Sequence, residues 1–367
     1  MSTTRTRRRS AGAVVLTLAT SLLVACSSGT SAEPEAEEPA SPDTEQVEEE
    51  EEAPDPAAEA AEFYDGETIK IIIPYNPGGG FDQFVRLLVP ELEKELEGVS
   101  IQVENLPGGG GLVGANAIYQ SEPDGLTFGL INYPGAVFAE TTETEGVEFE
   151  NSEWTFLARL GAINPIVYTG KDTGLTTFED IMDSTEPVTF GIGGVGSDAY
   201  YATVIMSEVL GFPNQIIAGY PGGGEADAAL LVGEVMAGVG SVDATLGRIE
   251  GTGTNIVALL STEPNPKVAD VPLITEFGDA EQQEVLTALA TVYDLERTLV
   301  APPGVPEERA QFLADAIYAA ATAGAYEETM TAAGYTASPL PREDVLERAA
   351  VVQENVSLLA PYIQAAV

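Results

Sequence analysis

The feature that most constrains this chain is a recurring unit. A short run of β-branched residues ends in glycines, and the glycines open an apolar helical stripe. Residues 69–74, Ile-Lys-Ile-Ile-Ile-Pro, read as a buried strand. Gly78, Gly79 and Gly80 follow. Phe81, Phe84, Val85, Leu88, Leu92 and Leu96 then recur at helical spacing up to Gly98, with Pro90 as a point where the helix can kink. The unit returns as a strand at 101–103, glycines at 108–111, a helix at 113–119 and a third strand at 127–131. It returns again as a strand at 188–192, glycines at 193, 194 and 196, and a helix at 200–210 closed by Gly211. A strand at 216–218, glycines at 222–224, a helix at 226–231 and strands at 235–239 and 255–260 complete a second set. Such repetition predicts an α/β fold of two lobes, each with a mixed, mostly parallel sheet flanked by helices. The last stretch holds a strand at 297–301 and helices within 306–324 and 342–367. It is too small for a domain and is expected to pack back on the first lobe. The predicted division is 68–163 plus 294–367 for lobe one and 164–293 for lobe two, with ligands binding in the cleft at the strand ends.

The start of the chain is of another kind. Arg5, Arg7, Arg8 and Arg9 precede a short apolar stretch at 11–24, too short for a membrane span of roughly 20 residues. A basic start, an apolar core and small residues before a cut make an export signal over 1–25. Leu23-Val24-Ala25-Cys26 resembles a bacterial lipobox, which implies cleavage before Cys26 and lipid on that cysteine. Between Glu33 and Glu67 there are sixteen acids and no base, with five prolines. Residues 26–67 are therefore expected to be a disordered acidic tether. The whole chain has 59 acids against 15 bases and a net charge of −44. Such a surface repels itself at low salt and suits a salty medium, where screening acts over about 3 Å at 1 M.

That charge excludes a nucleic-acid binder, which needs a basic face. With no histidine and one cysteine, no Ser-His-Asp or Cys-His machinery, His-based zinc site or CxxC chemistry can be built. No serine stands three residues before any of the four lysines, and no GK[ST] follows a glycine loop, so Ser-x-x-Lys catalysis and a P-loop are absent. Residues 109–114 and 191–196 both match G-x-G-x-x-G, but neither has an acid at the end of the next strand for a ribose. The chain is read as a binding protein without catalysis, cofactor or metal. The glycine loops have a simpler use. A strand that ends in glycines before a helix exposes backbone N–H groups at a helix N-terminus, and these hold carboxylates without any arginine or lysine.

An ordered set of motifs carries a family resemblance. Ile73-Pro74-Tyr75-Asn76-Pro77-Gly78-Gly79-Gly80-Phe81-Asp82 resembles the opening V-P-(F/Y)-x-x-G-G-x-x-D of the substrate-binding receptors of tripartite tricarboxylate transporters, the Bug-type receptors. Val103-Glu104-Asn105-Leu106-Pro107-Gly108-Gly109-Gly110-Gly111, Pro123-Asp124-Gly125-Leu126-Thr127, Gly219-Tyr220-Pro221-Gly222-Gly223, Asp270-Val271-Pro272 and Ala301-Pro302-Pro303-Gly304-Val305-Pro306 are similar to later motifs of that family. The resemblance spans about residues 69–345. It implies a two-lobed periplasmic-binding-protein fold with a hinge crossed by two segments. It also implies a monomeric extracytoplasmic receptor that binds a small carboxylate and delivers it to integral membrane permease subunits, or else a solute sensor coupled to a signalling partner. The implied ligand contacts are Tyr75, Asn76, Gly78, Gly79, Gly80 and Asp82 in the first loop, and Asn132 and Tyr133 at the third strand. In the second lobe they are Gly194, Gly196, Ser197, Asp198, Tyr220, Ser241 and Asp243. Asp82 has a competing role as a helix cap. Tyr200 or Tyr201 stands near the place of a family histidine and Pro221 replaces a family lysine, so no cation is expected at these loops.

Overall fold

The computed structural model describes residues 56–193, 197–220 and 223–365. The export signal, Cys26, the tether up to residue 55, Gly194 and Gly196 lie outside the described residues. Chain order runs α1 (Pro56–Tyr64), β1 (Thr68–Ile73), α2 (Gly80–Glu95), β2 (Ser100–Asn105), α3 (Leu112–Tyr119), β3 (Thr127–Asn132), α4 (Tyr133–Thr141) and β4 (Thr155–Gly161). The second sheet is built from β5 (Pro165–Thr169), α5 (Phe178–Met182), β6 (Val188–Ile192), α6 (Asp198–Leu210), β7 (Asn214–Ala218), α7 (Gly223–Leu231), β8 (Ala237–Ser241), α8 (Val242–Ile249) and β9 (Asn255–Leu259). The chain returns through α9 (Ala280–Asp294), β10 (Arg297–Ala301), α10 (Glu307–Thr322), α11 (Gly324–Ala332) and α12 (Arg342–Ala365).

The strand orders are β2-β1-β3-β10-β4 and β7-β6-β8-β5-β9. β1 is parallel to β2 and β3, and β6 is parallel to β7 and β8. β10 runs antiparallel to β3 and β4, and β5 runs antiparallel to β8 and β9. The two antiparallel strands are the ones that enter a sheet straight after a crossing. β4 ends at Gly161 and β5 begins at Pro165, while α9 ends at Asp294 and β10 begins at Arg297. A strand fed in from the hinge must run away from it, so each sheet is mixed and the hinge is crossed by two segments.

Local packing follows the apolar pattern. In α2, Phe84, Val85, Leu88 and Leu92 are buried, and the helix continues through the exposed Pro90 to Glu95. There water can take the Arg86 carbonyl that proline leaves without a donor. α10 and α11 pack on α2, as expected of a returning segment. α12 packs on β4 and α4 but also on α6 and α9, so it serves both sheets. One buried cluster accordingly joins Ile131, Tyr133 and Phe138 of the first sheet's elements to Tyr201, Ile205 and Met206 of α6.

The expected tether does not extend to residue 67. α1 is a helix with Ala60 and Tyr64 each about 1% exposed. Tyr64 stacks on Phe312 at 5.5 Å, its hydroxyl donates to the Gly125 carbonyl at 3.3 Å, and the Arg309 guanidinium lies 3.4 Å over the Phe63 ring. The surplus of acids masks one aromatic pair, Phe63-Tyr64, which buries enough surface to hold the last turns of that segment on the domain. Tyr64→Ala should lower stability by roughly 3–5 kcal/mol, and Tyr64→Phe by only about 1 kcal/mol, in chemical denaturation. Equal, small effects would mean that α1 is not part of the cooperative unit.

Candidate functional site

Both sheets present their functional loops at one edge. In the first sheet Arg297, the start of β10, pairs with Asn132 at the end of β3 and with Gly161 at the end of β4. In the second, Pro165 at the start of β5 pairs with Ser241 at the end of β8. The carboxyl ends of the parallel strands therefore lie beside the crossing segments, where ligands of open α/β sheets bind.

A cavity of about 410 Å³ opens there, lined from the first sheet by Pro74, Tyr75, Gly109, Gly110, Gly111 and Asn132 and from the second by Ser197, Asp198 and Tyr201. The Asn132 amide donates to the Asp198 carboxylate at 2.6 Å, a bond from one sheet's elements to the other's. The Asn132 carbonyl oxygen accepts from Gly135 N at 3.0 Å and so caps α4. Tyr293 donates to the Asp198 main-chain carbonyl at 2.7 Å. The Tyr75 ring packs 4.3 Å from Phe81. Gly111, at φ +112°, leaves room for Tyr75, because a Cβ there would stand 2.9 Å from the phenol oxygen.

The electrostatics behind this cavity are unusual. Burial pushes the Asp198 carboxyl up to about 6, against the opposing pull of Asn132 and Arg297. Burial also pushes Glu296 up to about 7, opposed by Arg297 and reinforced by Asp198. Tyr75 is held well above its ordinary range by burial and by the Asp198 and Glu296 carboxylates, so it remains a neutral donor. Arg297 sits at the middle of the group. Its guanidinium lies 4.5 Å over Phe84 and 5.5 Å from the Phe81 ring centre, and 3.0 Å from Glu296 Oε2. A Cβ on Gly80 would stand 3.6 Å from its Nη2. A cation is thus placed directly behind the first glycine loop, where none was expected from the loop sequences. The signal was present as two adjacent charges, Glu296-Arg297, opening the fully buried strand β10.

A second cavity of about 290 Å³ lies on the other side of the α6 N-terminus. It shares Ser197 and Asp198 with the first and is lined by Gly191, Gly193, Gly223, Gly240, Ser241, Thr245, Arg248 and Tyr293. Ser197 and Ser241 are the N-caps of α6 and α8, accepting from Tyr200 N at 3.3 Å and Ala244 N at 3.2 Å. Arg248 donates through Nε to the buried Asp227, which also accepts from Tyr168. No local motif surrounds Arg248 in the sequence.

Tyr75, Asn132, Ser197 and Asp198 therefore meet at one place, and Ser241 joins them through the second cavity. Asn76, Gly78 and Gly79 lie in the exposed loop before α2. Asp82 is buried and lines neither cavity. Its carboxylate accepts from Gly78 N at 2.8 Å, Arg86 Nε at 2.8 Å and Asn105 Nδ2 at 2.9 Å, while Asn105 also donates to the Tyr75 carbonyl at 3.0 Å. Burial raises its pKa, but those bonds outweigh burial and hold the carboxyl below the usual range. The N-cap position of α2 is Gly79, so Asp82 reaches back from the first turn and fixes the loop. Tyr133 is buried in the core beside Phe156 and accepts from Gln353 at 3.3 Å. Tyr220 donates to Glu234 at 3.1 Å away from both cavities. Asp243 binds Lys267 at 2.6 Å and the Thr336 N–H at 2.8 Å, tying α8 to the segment after α11.

Residues 84–366 match the family model described as tripartite tricarboxylate transporter family receptor, TctC. The chain is 26% identical to protein BugT of Bordetella pertussis over 227 residues, 60% of this chain and 69% of that one. Among solved structures, a TctC solute-binding protein from Polaromonas superposes with a TM-score of 0.68 at 19% identity, over 82% of this chain and 99% of that one. MatC from Rhodopseudomonas palustris with bound malate superposes with a TM-score of 0.61 at 22% identity, over 81% of this chain and 99% of that one. These superpositions identify the two-lobed periplasmic-binding fold.

The raised carboxyl of Asp198 has a consequence for stability. It titrates near 6 in the fold against an ordinary 3.8, so the folded chain holds that proton more tightly than the unfolded chain. The associated stabilisation is full below about pH 4 and is lost as pH rises through about 6. Asp198→Asn should therefore raise the thermal midpoint by a few degrees at pH 8 and by much less at pH 4.5. The same gain at both values would show that Asp198 is not proton-linked to folding.

Proposed function

The chain belongs to the tripartite tricarboxylate transporter receptor family, and from that premise we propose that it is a lipid-anchored extracytoplasmic receptor. It binds a small carboxylate between its two sheets and hands it to the permease subunits of a transporter of the same type. The carrying observation is the cavity in which the N-terminus of α6, capped by Ser197, faces Tyr75 and Asn132 of the other sheet. A carboxylate there takes backbone N–H groups at the positive end of α6, a neutral phenol donor from Tyr75, and the field of Arg297 behind the 78–81 loop. The malate bound to MatC is a ligand of this chemical kind.

Binding of this sort favours closure. One wall of the cavity belongs to each sheet, so an anion completes all its hydrogen bonds only when the two are together. The Asn132–Asp198 bond already crosses the gap at 2.6 Å, and the ligand adds to it. Cys26 supplies the anchor after export, and the acidic stretch behind it acts as a spacer. The surplus of acids suits the domain to a saline medium.

A thermal-shift panel of mono-, di- and tricarboxylates, amino acids and neutral solutes tests the ligand class. A carboxylate at 100 times its dissociation constant should add about 2.7 kcal/mol of stability, and the ligand-free midpoint should fall when NaCl is withdrawn. Stabilisation by neutral or cationic solutes alone would overturn the carboxylate reading. For the anchor, the wild-type protein should partition with membranes in its native host, and Cys26→Ala should move it to the soluble fraction. A soluble wild-type protein would remove the anchor from this account.

A further inference from the structure

The cavity between the two sheets has no cation in its wall. Among its described lining residues, Asp198 is the only one with a charged side chain, and that residue is an acid. We infer that the receptor takes up a proton together with its carboxylate, and that Asp198 holds this proton and donates it to the ligand. The inference rests on the receptor reading above and concerns the same site.

Three observations carry it. The first is position. Asp198 is the first residue of α6, next to the Ser197 cap, so an anion held by the N–H groups of that helix lies against its carboxylate. The second is the medium. Leu112, Ile131, Ala136 and Phe149 line the same cavity, and two carboxylates that share such a space cannot both stay ionised. The third is that no neighbour removes the conflict. Asn132 donates to Asp198 Oδ2 at 2.6 Å, and Tyr293 spends its hydroxyl on the Asp198 main-chain carbonyl. Tyr75, after β1, and Tyr201, on α6 itself, offer phenols and no charge. Glu296, in the crossing segment, adds a second negative charge. The field of Arg297 in β10 reaches Asp198, but its guanidinium lies on Phe84 and 3.0 Å from Glu296 Oε2. Glu296 Oε2 and Arg297 Nε are both buried without a directed hydrogen bond, so this pair is imperfectly matched.

The proton comes from solvent. Burial pushes the Asp198 carboxyl up to about 6, so at pH 7 it is largely ionised and has a proton to recruit. An arriving anion raises it further, because a like charge favours the neutral form. Asn132 occupies Oδ2, so the proton goes onto Oδ1, and the new O–H donates to a ligand carboxylate oxygen. The complex gains one proton and turns a repelling charge into a donor. The bound receptor then holds this proton more tightly than the free one. Affinity for a fully ionised carboxylate is therefore greatest below about pH 6 and falls as pH rises.

The test is calorimetric titration with malate, adipate, butyrate and any other carboxylate that shifts the thermal midpoint. Titration at pH 7 in PIPES and in Tris, which differ in ionisation enthalpy, counts the protons exchanged. Titration between pH 6.5 and 8.5 gives the pH profile. The wild-type protein should take up about half a proton or more at pH 7 and bind roughly fivefold or more weakly at pH 8.5 than at pH 6.5. Asp198→Asn should take up no proton, show a flat profile and bind more tightly than the wild type at pH 8.5. Glu296→Gln should keep the uptake and move it to lower pH, because a negative charge near Asp198 is gone. An infrared difference spectrum of the wild-type protein needs no variant, and on binding it should gain the carbonyl stretch of a protonated carboxyl. Binding without proton uptake overturns the inference and leaves the receptor reading intact. That outcome includes an amino acid whose ammonium pairs with an ionised Asp198. Uptake that persists in Asp198→Asn, or that is lost in Glu296→Gln, assigns the proton to another group and also overturns it. A protein that binds no carboxylate at all overturns the receptor reading itself.

Discussion

Everything at the site depends on how the chain crosses between its two sheets. Only residues 162–164 and 295–296 separate elements of one sheet from those of the other at the crossings. Strands entering from these short links run antiparallel to their neighbours and fix the edge at which the other strands end. β5 pins the end of β8 through Pro165 and Ser241, and β10 pins the ends of β3 and β4 through Arg297. The glycine loops and helix N-termini that follow those strands have no choice but to gather around the hinge. α9 and α12 then close the far side with packed apolar side chains, so the polar surfaces are left for the cleft.

The crossing also explains the charge arrangement. A short link admits little water, and Glu296 and Arg297 are 1% and 7% exposed. A buried pair of this kind is a weak source of stability. Its value here is positional. Arg297 lies over Phe84 and behind Gly80, and its field reaches Asp198 and Tyr75 in the cavity. A chain with a net charge of −44 repels anions at a distance, but screening confines that repulsion to the surface layer. Inside the cleft, helix ends act at contact range and Arg297 acts through its field, where the solvent does not weaken them as much.

The fold was legible where geometry is written locally. The runs at 69–74, 127–131 and 188–192 are β1, β3 and β6, and the described loop glycines lie at the strand ends that face the hinge. The stretch from 133 to 187 has no glycine-loop rhythm, so α4, β4 and β5 carried no comparable signal, although two of them flank the first crossing. α1 was hidden by its acidic composition. At the site, Tyr75, Asn132, Ser197 and Asp198 were readable because each sits beside a strand end or a helix start. Asp82 and Asp243 share those positions but spend their carboxylates on Gly78 and Asn105, or on Lys267 and Thr336. Arg297 differs: its charge is visible in the pair Glu296-Arg297, but its neighbours Phe84 and Gly80 are distant in sequence, and only tertiary packing brings it behind the first glycine loop.

The same distribution of contacts bears on how such a receptor can respond to a ligand at all. The described polar contacts between elements of the two sheets include Asn132 with Asp198, Asp243 with Thr336, and Asp294 with Arg159 and Arg348. A net hydrogen bond contributes about 0.5–1.5 kcal/mol. Moving an equilibrium from 1:99 to 99:1 takes about 5.5 kcal/mol of differential binding. A single carboxylate at the α6 N-terminus supplies part of that. Contacts made wholly within one sheet's own elements raise affinity without pulling on the other sheet. Only contacts made on both walls of the cavity, such as those open to Tyr75 and Asn132 on one side and the Ser197 helix start on the other, can couple binding to closure.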